Sequence, residues 1–262
     1  MLGAAGMTLV DFETARAARG LRIVWAEKIP SPWSQAALGL FDMKGFDYLL
    51  VPFRPFAQVV REQTGAINVP VVLFDDEPPR TGWAEILALA ERLGGRVSLV
   101  PDDDDRAVRM YGLSHALMAE GGLGWSVRML LTHASVTTGG REGWPAPVAA
   151  YLAPKYGYAA DRVPAAHARA VRVLNLLART LAEGEAAGHA YMLGPAPTAL
   201  DVYAAVSLGV IVPLPHEMCP MPDVLRHAVA TLDADVRAAV PPSLLRHRDL
   251  MYARHLRVPV RL

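Results

Sequence analysis

Residues 66–87 read AINVPVVLFDDEPPRTGWAEIL. Val69-Pro70 opens a short apolar run, rich in β-branched residues, that ends at Phe74 and reads as a strand. An acidic, proline-rich turn follows, and Asp76 to Arg80 gives a weak further strand. From Gly82 to Leu93 the period changes: Ile86, Leu89, Ala90 and Leu93 share one helical face, and Gly94-Gly95 closes the helix. Upstream, LRIVWAE (Leu21 to Glu27) is a buried strand that runs into Ile29-Pro30-Ser31-Pro32-Trp33-Ser34, which opens a helix through about Met43. Tyr48 to Phe53 is a second strand, followed by a short helix over Phe56 to Gln63 that stops at Gly65. This β-α-β-α-β-β-α order predicts a mixed sheet with helices packed against it. Ahead of it, residues 8–19 read as a short leading helix, with Thr8 or Asp11 as cap and Gly20 as stop.

After residues 96–101 the pattern turns helical. Asp102 to Asp105 reads as a helix start, because carboxylates there satisfy free N–H groups and complement the helix dipole. As a metal cluster it is poorly formed, since four consecutive side chains point around a helix and do not converge. Leu113, Leu117 and Met118 continue an apolar stripe, a further helix follows from Trp125, and residues 139–165 are punctuated by Gly and Pro. Arg162 to Glu185 and Ala199 to Val212 are strong helices. Thr198-Ala199-Leu200-Asp201 has capping-box spacing, with Asp201 placed to reach back to the Thr198 N–H. The apolar run behind it marks a helix buried nearly all round. The chain thus divides into an N-terminal extension (1–19), an α/β domain (20–96) and an all-helical domain (102–262).

Composition narrows the function. Of 262 residues 52% are hydrophobic and 20% charged, and Lys plus Arg equals Asp plus Glu at 26 each. A balanced charge carries no footprint for nucleic acid. No apolar run approaches the roughly 18 residues of a membrane span. The N-terminal stretch meets Asp11 and Glu13 early and lacks a basic leader, so it does not read as a signal peptide and the cytoplasm is the expected compartment. One cysteine, Cys219, rules out an intrachain disulfide; no base stands beside it in sequence. The eight histidines show no metal-ligand spacing, and no metal is expected.

The strand–helix junction at Ser31, the Val69-Pro70 strand start and the Thr198-x-x-Asp201 box on a buried helix, in this order and at this separation, resemble the cytosolic glutathione S-transferase superfamily over roughly residues 20–240. The resemblance implies a thioredoxin-like N-terminal domain followed by an all-helical domain, glutathione as co-substrate, and a homodimer. It makes Ser31 the group that contacts the glutathione sulfur, with Ser34, one turn on, as second candidate. A hydroxyl donor at the positive end of a helix favours a thiolate over a thiol whose ordinary pKa is about 8.5. Trp33, Val69 and Pro70 would complete the glutathione edge, with Val69-Pro70 cis and the Val69 backbone paired to the cysteinyl unit. Serine in place of cysteine at residue 31 disfavours thiol transfer through a protein disulfide.

The pattern departs from the family where Glu-Ser or Gln-Ser usually opens the third helix: here stand Gly82 and Trp83. Thr81, Arg80 and Glu85 are the neighbours available to substitute at the γ-glutamyl end, Arg80 by pairing with a carboxylate and Thr81 by donating a hydroxyl, and Trp83 is counted with the glutathione-binding residues. Tyr111, His115, Met118, Trp125 and Met129 are the expected wall of a hydrophobic substrate pocket between the domains. Conjugation of a hydrophobic electrophile is the leading reading. A glutathione-dependent lyase, isomerase or dehalogenase is a second. A non-catalytic binding or interaction protein on the same fold is a third, favoured by Gly82-Trp83.

Overall fold

The computed structural model describes residues 6–53, 62, 64–66 and 68–262; the helix expected over Phe56 to Gln63 lies outside them except for Glu62. The sheet has four strands in the order β1-β3-β2-β4. β2 (Leu21–Ala26) is buried at every position. It runs parallel to β3 (Tyr48–Phe53) in the register Ile23 to Leu50, and antiparallel to β4 (Val71–Phe74) in the register Ile23 to Val72. Two helices on this sheet position the site: α2 (Pro32–Lys44), which starts from the end of β2, and α3 (Trp83–Leu93).

The N-terminal extension departs from the single helix expected over residues 8–19. Met7–Leu9 form β1, parallel to β3, and only Phe12–Ala17 form a helix, α1. Asp11 caps α1 by accepting the Thr14 N–H at 2.7 Å. The reason is tertiary. The edge of β3 offers unpaired backbone groups, and the extension fills them: Tyr48 N–H donates to Gly6, and Val10 N–H to Leu50, each at 3.0 Å. The weak strand expected over Asp76 to Arg80 reduces to one bridge, Val72 to Arg80, because Pro78 and Pro79 have no N–H to continue a ladder.

The helical domain begins with α4 (Asp104–Met118), whose cap, Asp103, accepts the Arg106 N–H at 2.8 Å; the acidic run is a helix start, as expected. Then come α5 (Leu123–Thr138), α6 (Ala146–Lys155), α7 (Val163–Ala186), α8 (Ala199–Ile211), α9 (Asp223–Ala230), α10 (Ala234–Ala238) and α11 (Pro242–Arg254). The Gly/Pro-punctuated stretch therefore contains a helix, α6, with a proline at its start, where the missing N–H costs nothing. The last helix, α11, packs on α8.

Helix α8 is the axis of the molecule, with α2, α4 and α11 against it and Asp201 fully buried at its start. The Asp201 carboxylate accepts the Thr198 N–H at 2.8 Å, the Thr198 hydroxyl at 2.9 Å and the Met192 N–H at 3.0 Å. The buried His247 of α11 stands 3.0 Å from it. Gly39 of α2 allows the close approach to α8 and the C-terminal segment, since a Cβ there would fall 2.7 Å from Leu256 and 3.2 Å from Val202. The linker is fixed as well: Ala199 N–H donates to Leu99 O at 2.8 Å, and buried Lys44 bonds Glu91 at 2.9 Å and the Val97 carbonyl at 2.8 Å. Replacing Asp201 with Ala is expected to orphan several buried donors at once. The expected cost is about 3–5 kcal/mol of stability, measured as a lower urea midpoint without loss of the sheet's far-ultraviolet signal in the native baseline.

Candidate functional site

Ser31 lies between β2 and α2 in an extended conformation (φ −75°, ψ 117°), as the N-cap of α2 with Pro32 at the first helical turn. Its Oγ accepts the Ser34 N–H at 3.4 Å. Acceptance uses a lone pair, so the hydroxyl proton stays available to an anion placed at the helix end. Ser34, the second sulfur candidate, has a different position. It is fully buried, and its Oγ accepts the Ala26 N–H at 3.1 Å, tying the end of β2 to the first turn of α2. A hydroxyl without exposed surface supports the backbone and cannot meet a ligand in this arrangement.

The Val69-Pro70 bond is cis. Pro70, Thr81 and Trp83 border one small cavity with Trp33, Met118 and Tyr203, at the seam between the sheet domain and the helical domain. The structure thus gathers Trp33, Pro70, Thr81, Trp83 and Met118, with Val69 next to Pro70. Arg80 is held apart: its guanidinium pairs with Glu77 at 2.5 Å, and Arg92 binds the same carboxylate at 2.6 Å. Hydrogen bonds from Arg92 and Arg80 hold the Glu77 carboxyl below its ordinary range.

Gly82 is the N-cap of α3 and brings no side chain to it. Glu85 folds back instead, and its carboxylate accepts the Gly82 N–H at 3.2 Å. The Trp83 ring turns into the seam, with centroids 5.7 Å from Tyr203, 6.4 Å from His115 and 6.5 Å from Tyr111. The Tyr203 hydroxyl donates to the Trp83 carbonyl at 3.4 Å. Tyr111 and His115, expected to wall a pocket, are therefore partners of Trp83. Met118 is buried beside Ser207.

Trp125 belongs to a second aromatic group. Its indole N–H donates to the Tyr156 carbonyl at 3.0 Å, and the two rings meet edge to face at 4.6 Å. Tyr156 also stacks on Trp33 at 6.3 Å. Trp33, expected to touch glutathione, faces the helical domain: its N–H donates to the Met118 carbonyl at 2.7 Å, and Arg128 lies over its ring at 4.6 Å. Gly124 makes this seating possible, since a Cβ there would come within 3.0 Å of the indole. Met129 is buried.

Tyr203, Tyr156 and Arg128 escape the sequence reading. Tyr203 sits in an apolar helix and reads as core. Arg128 does carry a signal, as the one charge inside WSVRMLL. Cys219 is buried, and burial pushes its thiol up, away from nucleophilic use. His167, Asp233 and Asp235 lie close together, and this follows from capping: Asp233 accepts the Asp235 N–H at 2.9 Å and a His167 bond at 3.0 Å.

Protein-family models and curated protein sequences give no match to this chain. Solved structures do. A glutathione S-transferase of Methylobacterium radiotolerans, in complex with glutathione sulfonate, is 20% identical, with 89% of this chain and 91% of that one covered and a TM-score of 0.61. The β-etherase of a Sphingobium strain is 13% identical, with 89% and 95% covered and a TM-score of 0.62. A glutathione transferase homologue of Sulfitobacter, with bound glutathione, is 16% identical, with 90% and 94% covered and a TM-score of 0.52. The fold of this chain is the glutathione S-transferase fold.

The two serines are expected to separate in stability measurements. Ser34→Ala leaves the Ala26 N–H unpaired in the core and should cost about 1–3 kcal/mol. Ser31→Ala removes a long capping bond and should cost about 1 kcal/mol or less. Urea midpoints of the two variants, measured side by side, check the order.

Proposed function

We propose that this chain binds glutathione between the start of α2 and the Val69-Pro70 edge, and that Ser31 holds its sulfur as a thiolate for attack on a hydrophobic electrophile. The observation that carries this reading is the Ser31 hydroxyl, set at a helix N-terminus with its oxygen engaged by Ser34 and its proton free to donate. A hydrogen bond to a charged acceptor is worth about 1.5–3 kcal/mol, and the positive helix end adds to it. Together they shift a thiol of pKa about 8.5 toward the ionised form at neutral pH. The thiolate then adds to the electrophilic carbon and the leaving group departs with the bonding pair. Val69 offers its backbone to the cysteinyl amide in strand-like pairing. Arg80 can turn from Glu77 to a ligand carboxylate, since Arg92 already neutralises Glu77. A cytoplasmic homodimer is part of the same proposal.

A bound glutathione with Ser31 as thiolate partner also serves ether cleavage, the reaction named for the Sphingobium neighbour. One observation favours a non-catalytic reading instead. At the start of α3 the ligand meets Glu85 folded over Gly82, and the Trp83 ring packed into the seam. A γ-glutamyl carboxylate there would face a like charge.

Calorimetric titration with reduced glutathione tests the proposal. Saturable binding tighter than about 1 mM, near −4 kcal/mol, is expected; no binding at that concentration leaves the non-catalytic reading. Glu85→Gln should tighten binding about threefold to tenfold, because it removes the like charge from the helix end. Ser31→Ala should leave glutathione bound but raise the pH at which its thiolate absorbance appears. Turnover of an activated aryl halide should fall about tenfold to a hundredfold, the equivalent of one charged hydrogen bond.

A further inference from the structure

Arg128 lies on α5 with its side chain enclosed by protein, 5% exposed. Its guanidinium rests on the Trp33 ring at 4.6 Å, while Nη1 is buried without a hydrogen-bond partner. Burial pulls the guanidinium's pKa down from its ordinary value, and the Tyr156 phenol works against that shift. That does not neutralise an arginine at neutral pH. A second cation stands close by. The Lys155 Nζ is 5.8 Å from the ring centroids of both Tyr151 and Tyr156, and burial, then the Arg128 charge, lowers its pKa. Among the described residues, no carboxylate forms an ion pair with either cation.

A cation–π contact offsets part of the cost of a buried charge. It leaves Nη1 unmet, and buried charges are otherwise paired. Two adjacent cations with aromatic faces and no anion form an incomplete site. The missing element is negative, planar in its hydrogen bonding and attached to an apolar body. Its position is also informative. Arg128 and Pro32, the first residue of α2 and directly after Ser31, border the same small cavity. Trp33, two residues from Ser31, forms the guanidinium's floor. Tyr151, 37% exposed, and the half-buried Lys155 bring the group to the surface.

We propose that Arg128 and Lys155, framed by Trp33, Trp125, Tyr151 and Tyr156, form a carboxylate-binding subsite, and that the second substrate of this protein is an aromatic or similarly apolar organic acid. Arg128 takes the carboxylate through its unpartnered Nη1, Lys155 adds the second charge, and the rings hold the apolar body beside the sulfur bound at Ser31. This assignment rests on the glutathione reading above for the identity of the ligand as a second substrate. The subsite itself rests only on the two cations and their surroundings.

The test is titration of the full chain with benzoate and with benzamide, which share a shape and differ in charge. Tryptophan fluorescence reports on Trp33 and Trp125, calorimetry on the affinity, and each titration is run with and without glutathione. Benzoate should bind at least about tenfold tighter than benzamide. Arg128→Met should abolish that preference without lowering Tm, because it removes a buried charge that lacks a partner. Lys155→Met, at a half-exposed position, should reduce the preference in a protein whose folding is not in question. Equal affinity for benzoate and benzamide, or a preference that survives in both variants, overturns the proposal. Inorganic phosphate that competes as well as benzoate also overturns it, since a bare anion would then suffice. Failure of the glutathione reading looks different. Glutathione binding without a benzoate preference removes the subsite alone, whereas a benzoate preference without glutathione binding keeps the subsite and removes the transferase chemistry.

Discussion

The Asp201 carboxylate is the constraint on which the rest of the molecule depends. It sits at the start of the most buried helix, where free N–H groups have no access to water, and it takes three donors from two segments of chain. Without it, burying the end of α8 would leave donors unpaired, a penalty of about 1–3 kcal/mol for each. With it, α8 can sit at the centre and present one side to α2, another to α4 and another to α11. The site residues inherit their positions from this arrangement. Ser31 is held because α2 is held, and α2 is held because Gly39 lets it approach α8 closely.

Between the two domains, aromatic side chains carry much of the contact. Trp33 and Trp83 start α2 and α3, and both rings point across the seam into the helical domain. Trp83 meets Tyr203, Tyr111 and His115; Trp33 meets Arg128 and Tyr156. One consequence is a sheet domain locked to its partner by rings and by indole hydrogen bonds. The other is a seam flanked by charge: an acidic group folded over the start of α3 on one side, and the buried Arg128, with Lys155 near it, on the other. That asymmetry gives the site its chemical character more than any single residue does.

Several elements were legible because local pattern decides them. The strand LRIVWAE, the helix start at Ser31-Pro32 and the cap at Asp103 need no distant partner to be read. Thr198-x-x-Asp201 was legible as a cap, but not as a hub that also takes the Met192 N–H. The failures share one cause. Residues 7–9 became a strand because β3 had an unfilled edge, and no periodicity in the segment announces that. Ser34 looked equivalent to Ser31 in sequence. Only the approach of Ala26 shows that the Ser34 hydroxyl ties β2 to α2, while Ser31 caps the helix. Trp33 and Trp83 read from sequence as glutathione-edge residues; which rings they meet across the seam was not legible, because the direction of a ring depends on the opposite domain.

The sequence by itself determined the two-domain order, the strand-to-helix junctions and the capped central helix, since hydrophobic period, proline and capping residues act over a few positions. The tertiary structure alone decided which polar groups remain unmet. Burial converts Arg128 from an ordinary charge on a helix into a guanidinium over the Trp33 ring whose Nη1 has no partner among the described residues, and the cost of a charge depends on what surrounds it in space.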